Sequence, residues 1–320
     1  MTLLSIRDLS VCIGRLRPLD GISFNLDKGE ILGVVGESGS GKSLTATSIM
    51  GLLPLIGGKV LKGSMYFDGI DLTTLDEASY RRLRGRRIAL ISQNPMTSLD
   101  PIVRIGAQID QMASLHLGLS PQKARARSIE LMEQMRIPQA ATVYGQYPHQ
   151  LSGGMKQRIV VAMALAADPD LIIADEPTTA LDVTIQAQIV QILIDLVRER
   201  GLALMLITHD MGVVAQACDR VVVLYAGRVA ESNSVEGIFA EPRHPYTRAL
   251  IRCIPRGGQA RGSLVGIPGV VPRVLDYPRG CRFNPRCDLA QPICYTETPP
   301  VHADGSAAVA CHFSEVRAHV

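Results

Sequence analysis

A chain of 320 residues, 47 % of them apolar, carries enough hydrophobic side chain for a full core, in one large domain or two smaller ones. Its formal charge of +3, with no run of five or six like charges, excludes a polybasic nucleic-acid binder. The first nine residues, charged at Arg7 and Asp8, are no secretory signal, and no stretch approaches the ~18 uncharged apolar residues of a membrane span, so the chain reads as soluble and cytosolic.

Residues 1–30 alternate apolar and polar side chains and read as two antiparallel strands. The run at 30–35 (EILGVV) is short and apolar, as a buried parallel strand is, and 44–53 reads as a helix. Between them Gly36-Glu37-Ser38-Gly39-Ser40-Gly41-Lys42-Ser43 fits G-x-x-x-x-G-K-[ST]. The glycines let backbone approach a phosphate, and successive N–H groups at a helix start cradle the anion. Lys42 then reaches the β- and γ-phosphates, and the Ser43 hydroxyl binds Mg²⁺.

Further strands are expected at 63–67 and 88–92, with a short polar helix at 77–84. Arg81, Arg82, Arg84 and Arg86 crowd there and read as a solvated face. Residues 93–150 are helical, rich in Gln, Met and Ala, and interrupted by prolines, which suggests a helical insert between two halves of an α/β sheet. Leu151-Ser152-Gly153-Gly154-Met155-Lys156-Gln157-Arg158 then opens a helix. Ser152 is a good N-cap, and Gly153 and Gly154 leave N–H groups at the positive helix end, a second anion site. One nucleotide hardly needs two such helix ends from one subunit, so a head-to-tail pair of subunits is the economical arrangement.

A helix from 159 leads to the apolar strand 171–174, which ends in Asp175 and Glu176. Ligands of parallel sheets bind at the carboxyl ends of strands. Asp175 is placed to hold Mg²⁺, and Glu176 to polarise an attacking water as general base. An amphipathic helix at 185–200, strands at 203–207 and 220–225 and a turn at 226–228 complete a mostly parallel, doubly wound sheet. Beyond about 235, prolines punctuate what reads as a small loop-rich appendage and not a continuation of the sheet.

With these motifs in this order, the chain resembles the ATP-binding subunit of an ABC transporter. The resemblance implies an α/β P-loop NTPase fold, an ABC-type nucleotide-binding domain over 1–235 with a helical insert at about 93–158, and a cysteine-containing extension over 236–320. It implies that LSGGMKQR is the signature motif, whose Ser152, Gly153, Gly154 and Gln157 serve the nucleotide. Gln93, in Ile91-Ser92-Gln93-Asn94-Pro95, matches the Q-loop and touches Mg²⁺ or the lytic water. Asp182, in Ala180-Leu181-Asp182, matches the D-loop of the dimer interface, and His209 matches the switch histidine that steadies Glu176, water and γ-phosphate. One departure is plain. Residues 9–15 (LSVCIGR) lack the aromatic that often stacks on adenine, so only modest base discrimination is expected.

The stretches NPMTSLDP after the Q-loop, EPRHPYTRAL at 241–250, IPGVVP at 267–272 and GCRFNPRC at 280–287 narrow the resemblance to dipeptide/oligopeptide importer ATPases, whose relatives also import nickel. The implied partners are a second ATPase subunit (related chain or self), two permease subunits and an extracytoplasmic binding protein, with no nucleic acid. The implied place is the cytoplasmic face of the inner membrane. A soluble ABC-type ATPase acting on nucleic acid or ribosomes is the alternative, but it usually shows a duplicated core, a long coiled coil or a basic arm.

Cys12, Cys218 and Cys253 are scattered and read as packing residues. Cys281, Cys287, Cys294 and Cys311 stand as C-x5-C-x6-C-x16-C. Four thiolates suit Zn²⁺ or an iron–sulfur cluster, and the spacing lacks the C-x2-C pairs of a zinc ribbon. The family resemblance points to a [4Fe-4S] cluster, zinc and unliganded thiols being the alternatives. His302 and His312 flank Cys311 as possible replacement ligands.

Overall fold

The computed structural model of the chain describes residues 1–177, 183–255, 266–305 and 307–314. In chain order the strands are β1 (Thr2–Ile13), β2 (Leu16–Asp27), β3 (Ile31–Val35), β4 (Gly58–Phe67), β5 (Ile70–Asp71), β6 (Ile88–Ile91), β7 (Leu171–Asp175), β8 (Ala203–Thr208), β9 (Arg220–Tyr225), β10 (Arg228–Ser234), β11 (Val301–Asp304) and β12 (Ala307–Ala310). The helices are α1 (Lys42–Ile49), α2 (Glu77–Leu83), α3 (Pro95–Ser98), α4 (Ile105–Leu117), α5 (Pro121–Gln134), α6 (Ala140–Val143), α7 (Gly153–Leu165), α8 (Val183–Arg200), α9 (Met211–Ala217), α10 (Val235–Ala240), α11 (Pro245–Arg252) and α12 (Pro292–Thr296). The chain divides into two compact units. The first holds Met1, 27–30 and 74–207, and the second holds 2–26, 31–73 and 208–320.

In the first unit β6, β7 and β8 lie parallel, with Ile88 opposite Leu171 and Leu171 opposite Ala203. Leu171, Ile172, Ile173 and Ala174 are all fully buried, which is why β7 is a continuous apolar run instead of an alternating one. The expected helical region forms α3 to α7. Pro121 sits at the first position of α5, where its missing N–H costs nothing, and Gly118 ends α4 in the left-handed region. Buried Gln108 is satisfied at both ends: its carbonyl accepts from Asp100 N, and its amide donates to Asp100 O and Val103 O. Asp110 braces the same bundle, accepting from Ser128 Oγ at 2.6 Å and from the Tyr144 hydroxyl.

In the second unit β2, β1, β4 and β5 form an antiparallel sheet in that order. β3 lies parallel to β9, with Val35 opposite Val223, and β10 runs antiparallel to β9. Ala226 and Gly227 turn the chain between β9 and β10 at positive φ. A Cβ on Gly227 would stand 1.9 Å from Pro18 O, so only glycine fits there.

The tail departs from the expectation drawn from its prolines. β12 pairs antiparallel with β10 (Glu231 opposite Val309), and β11 pairs with β12, so the tail continues the sheet. Tyr246, Ile251 and Phe283 share one buried cluster with Val35, Val221 and Val223. Leu250, Ile254, Ile267, Val271 and Tyr277 pack against the same cluster, whereas Val270, Leu275 and Val301 are exposed.

Candidate functional site

Every residue of β3 is buried, and the chain leaves that strand straight into the glycine loop. Gly36, Gly39 and Gly41 have φ of 153°, 81° and 104°. A Cβ on Gly36 would meet Leu224 O at 2.2 Å, and one on Gly41 would meet Leu19 Cδ2 at 2.5 Å. Gly36 and Gly41 are therefore required where the loop backbone packs against β9 and β2, while Gly39 meets nothing within 4 Å and serves only its positive φ. Lys42 opens α1 with its stem buried, and its ammonium donates to Gly36 O at 2.7 Å and Glu37 O at 3.1 Å. Ser40 N donates to Glu37 O, and Ser40 O accepts from Gly227 N at 2.9 Å. Ser40 is itself fully buried, and its hydroxyl has no partner among the described residues. Ser43 is exposed in the first turn of α1, and Ser38 lies at the exposed crest of the loop.

Asp175 ends β7 opposite Ile207. Glu176 follows at φ 45°, an unusual value for a residue with a side chain, and its N–H donates to Ile207 O at 2.9 Å. That turn carries its carboxylate out of the strand direction, and Glu176 Oε2 accepts from Gln93 Nε2 at 3.0 Å. Two residues 83 positions apart, singled out separately in the sequence, thus meet in the first unit. Gln93 is exposed between β6 and α3, where Asn94 caps the helix by accepting from Met96 N.

Ser152 caps α7, accepting from Met155 N at 3.3 Å. A Cβ on Gly154 would stand 2.8 Å from Ile185 Cγ2, so this glycine lets α7 and α8 approach closely. Gly153 is exposed, whereas Gln157 is fully buried with neither amide atom partnered among the described residues. His209 belongs to the second unit and is exposed just after β8, ahead of Asp210, which caps α9 through Gly212 N and Val213 N. Asp182 lies outside the described residues.

Cys281, Cys287, Cys294 and Cys311 line one cavity in the tail, with Arg243 and Arg248 among the other lining residues. Cys281 N donates to Cys294 O at 2.8 Å, and Asn284 Nδ2 to the same oxygen at 3.0 Å, which ties two of the cysteine segments together. Burial pushes the Cys287 thiol up to about 11 and raises Cys281 and Cys311 as well. His312 lines the cavity, whereas His302 stands exposed on β11. Among the described residues no three His, Cys, Asp or Glu side chains are close enough to share one metal ion.

Two residues of the stretches 241–250 and 280–287 meet the glycine loop, a placement that the sequence did not signal. Tyr246 Oη accepts from Glu37 N at 2.9 Å, and the Arg286 guanidinium grips the Glu37 carboxylate. Both come from the tail, 209 and 249 positions away, and no local pattern marks such a pairing.

A family model described as ABC transporter matches residues 19–179, and one described as oligopeptide/dipeptide transporter, C-terminal region, matches 230–294. The chain is 46 % identical to the dipeptide transport ATP-binding protein DppD of Escherichia coli, over 98 % of this chain and 97 % of the relative. It is 45 % identical to the oligopeptide transport ATP-binding protein AppD of Bacillus subtilis, over 93 % of this chain and 92 % of the relative. Among solved structures, the dimeric ATP-binding cassette MJ0796 bound to ADP and Pi superposes with a TM-score of 0.65 at 27 % identity, over 72 % of this chain and 98 % of that one.

Proposed function

The chain belongs to the ABC transporter family, as an ATP-binding subunit with the oligopeptide/dipeptide C-terminal region, and from that premise we propose that it is the ATP-hydrolysing, energy-coupling subunit of a membrane importer of di- and oligopeptides. The observation that carries the reading is the Gln93–Glu176 pair at the carboxyl end of β7, in a chain that also holds a glycine cradle closed by Lys42. Lys42 neutralises the β- and γ-phosphates, and N–H groups at the end of the glycine loop and in the first turn of α1 hold their oxygens. Ser43, Asp175 and Gln93 are the residues that would hold Mg²⁺, which supplies charge neutralisation at the phosphates. Glu176 takes a proton from a water whose oxygen attacks the γ-phosphorus, and the bond to the bridging oxygen of ADP breaks. His209 holds the γ-phosphate oxygens as charge builds there. Ser152, Gly153 and Gly154 serve the nucleotide of a second ATPase subunit, and buried Gln157 supports the signature helix from within. With no aromatic at 9–15, GTP and ATP are expected to be hydrolysed at similar rates.

No helix among the described residues is long and apolar enough to cross a membrane. By analogy with the relatives that are ATP-binding subunits of peptide transporters, two permease subunits supply the path, an extracytoplasmic binding protein supplies the cargo, and this chain docks peripherally on the cytoplasmic face. Glu176→Gln should bind ATP, fail to turn over and trap the closed pair; normal hydrolysis by that variant would remove the base assignment. In cells lacking the gene, restoration with Lys42→Ala should leave di- and oligopeptide uptake lost. Loss of nickel uptake instead would move the cargo to the metal branch.

We propose that the four tail thiols, which line one cavity, hold an iron–sulfur cluster, although no three of them gather closely enough among the described residues to share one metal ion. Arg243 and Arg248 at the cavity offset thiolate charge. Anaerobically purified protein should carry iron and acid-labile sulfide. Stoichiometric zinc with neither would rule the cluster out.

A further inference from the structure

Glu37 puts a carboxylate inside the loop that must receive a triphosphate, the wrong sign of charge for that place. The structure answers it with one side chain. Arg286 donates Nη1 to Glu37 Oε2 at 2.7 Å and Nη2 to Oε1 at 3.0 Å, a two-pronged fork. The Arg286 side chain is 3 % exposed and that of Glu37 32 %. The remaining contacts of the guanidinium hold the fork in place: Nε donates to Pro268 O at 2.7 Å, Nη2 to Ile267 O at 3.3 Å and Nη1 to Tyr225 Oη at 3.4 Å.

The same loop residue is gripped through its backbone. Glu37 N donates to Tyr246 Oη at 2.9 Å, and Tyr246 is fully buried with its ring edge-on to Tyr225, 4.6 Å between centroids. Glu37 O accepts from Lys42 Nζ, the ammonium assigned to the phosphates. A shift of Glu37 therefore moves the carbonyl on which Lys42 rests.

We propose that Arg286, supplied by the tail, is a positioning residue for the nucleotide: it neutralises Glu37 and, with Tyr246, fixes the phosphate loop in its binding shape. The tail is thereby part of the ATP site, a role that neither the motifs nor the relatives' names give it. The proposal rests on the reading of 36–43 as the phosphate loop. The same contacts without this role would be a structural clamp only, and the two differ in what a second substitution does. If charge is the mechanism, removing the Glu37 charge must repair the loss of Arg286. A clamp would only be weakened further.

The test is equilibrium titration of the full-length chain with a fluorescent ATP analogue. Arg286→Ala should raise the Kd at least tenfold, by less as potassium chloride rises, because salt screens the uncovered carboxylate. The double variant Glu37→Gln/Arg286→Ala should return to within about threefold of Glu37→Gln alone, as expected when the two substitutions act on one charge pair. Arg286→Lys, which keeps the charge and loses the fork, should fall between. Should Arg286→Ala fail to fold by circular dichroism, Arg286→Lys with and without Glu37→Gln decides. A Kd within twofold of wild type in the Arg286 variants, or a double variant no better than the single one, overturns the proposal. Lys42→Ala is the control for its premise: if that variant binds the analogue as wild type does, the loop assignment fails, whatever Arg286 does.

Discussion

Asp20 on β2 is one carboxylate answering three guanidiniums. Arg228 donates to Oδ2 at 2.6 Å, Arg282 to Oδ2 at 2.7 Å and Arg17 to Oδ1 at 3.2 Å. The Arg282 side chain is 8 % exposed and Arg228 30 %, so removing Asp20 strands one nearly buried cation and one that water can reach. A buried charge deprived of its partner costs about 3–5 kcal/mol, and a screened one at most about 1. Arg282 keeps a second bond, to Ala226 O, which places Asp20→Ala at the lower end, about 3 kcal/mol. Urea unfolding followed by circular dichroism should then show a midpoint about 1 M lower, for a slope of about 3 kcal/mol/M. Arg282→Met should cost less, since Asp20 keeps Arg228 and Arg17 and no cation is left stranded. The pH dependence has a definite sign. Burial opposes ionisation of Asp20, yet Arg228, Arg282 and Arg17 together hold its carboxyl below the usual range. Its contribution is present above the unfolded pKa and is lost as pH falls through the folded one, so wild type and Asp20→Ala should converge in acid below about pH 4. A loss under 0.5 kcal/mol for Asp20→Ala, or a larger loss for Arg282→Met, would refute the account of a stranded cation.

Burial lifts the Cys287 thiol to about 11, so in protein verified to be free of bound metal its alkylation by iodoacetamide at pH 8 should run about 100-fold slower than that of an unperturbed cysteine, read by mass spectrometry of the tail peptide. A rate equal to that of free cysteine would contradict the buried environment. Tyr144→Phe should destabilise the helical region by about 1–2 kcal/mol, because its hydroxyl donates to Asp110 and that carboxylate then loses a donor. Desolvation, with that hydrogen bond and the Asp110 charge, raises the Tyr144 phenol to about 12, so its ultraviolet titration should lie above the ordinary tyrosine range.

The glycine loop at 36–43 and β7 were legible because their pattern is local. An apolar strand, three glycines, a lysine and a serine are consecutive, and Asp175-Glu176 end a run that only a buried strand explains. β10 was not legible. Its sequence, RVAESNS, has two apolar residues in seven, and its Glu231 is buried against the N–H groups of Arg243 and His244, partners that no periodicity announces. The β11–β12 hairpin carries one local signal, Gly305 directly after Asp304, but the surrounding prolines favour loops. The Glu37–Arg286 fork lies beyond local patterns, since it joins residues 249 positions apart.

The pairing of β12 onto β10 also bears on self-association. A strand at the rim of a sheet offers unpaired N–H and C=O groups to any passing chain. Here the tail covers the outer edge of β10, and the new rim, β11, is four residues long, exposed throughout and ends in Asp304. A chain cut near residue 235 to isolate the ATPase core would uncover β10 at Glu231 and Ser232 and leave the Glu231 carboxylate without its two backbone donors. Such a fragment should self-associate edge to edge, visible as concentration-dependent light scattering, and the proline-rich tail would then count as the guard that keeps neighbouring copies from adding strands to one another.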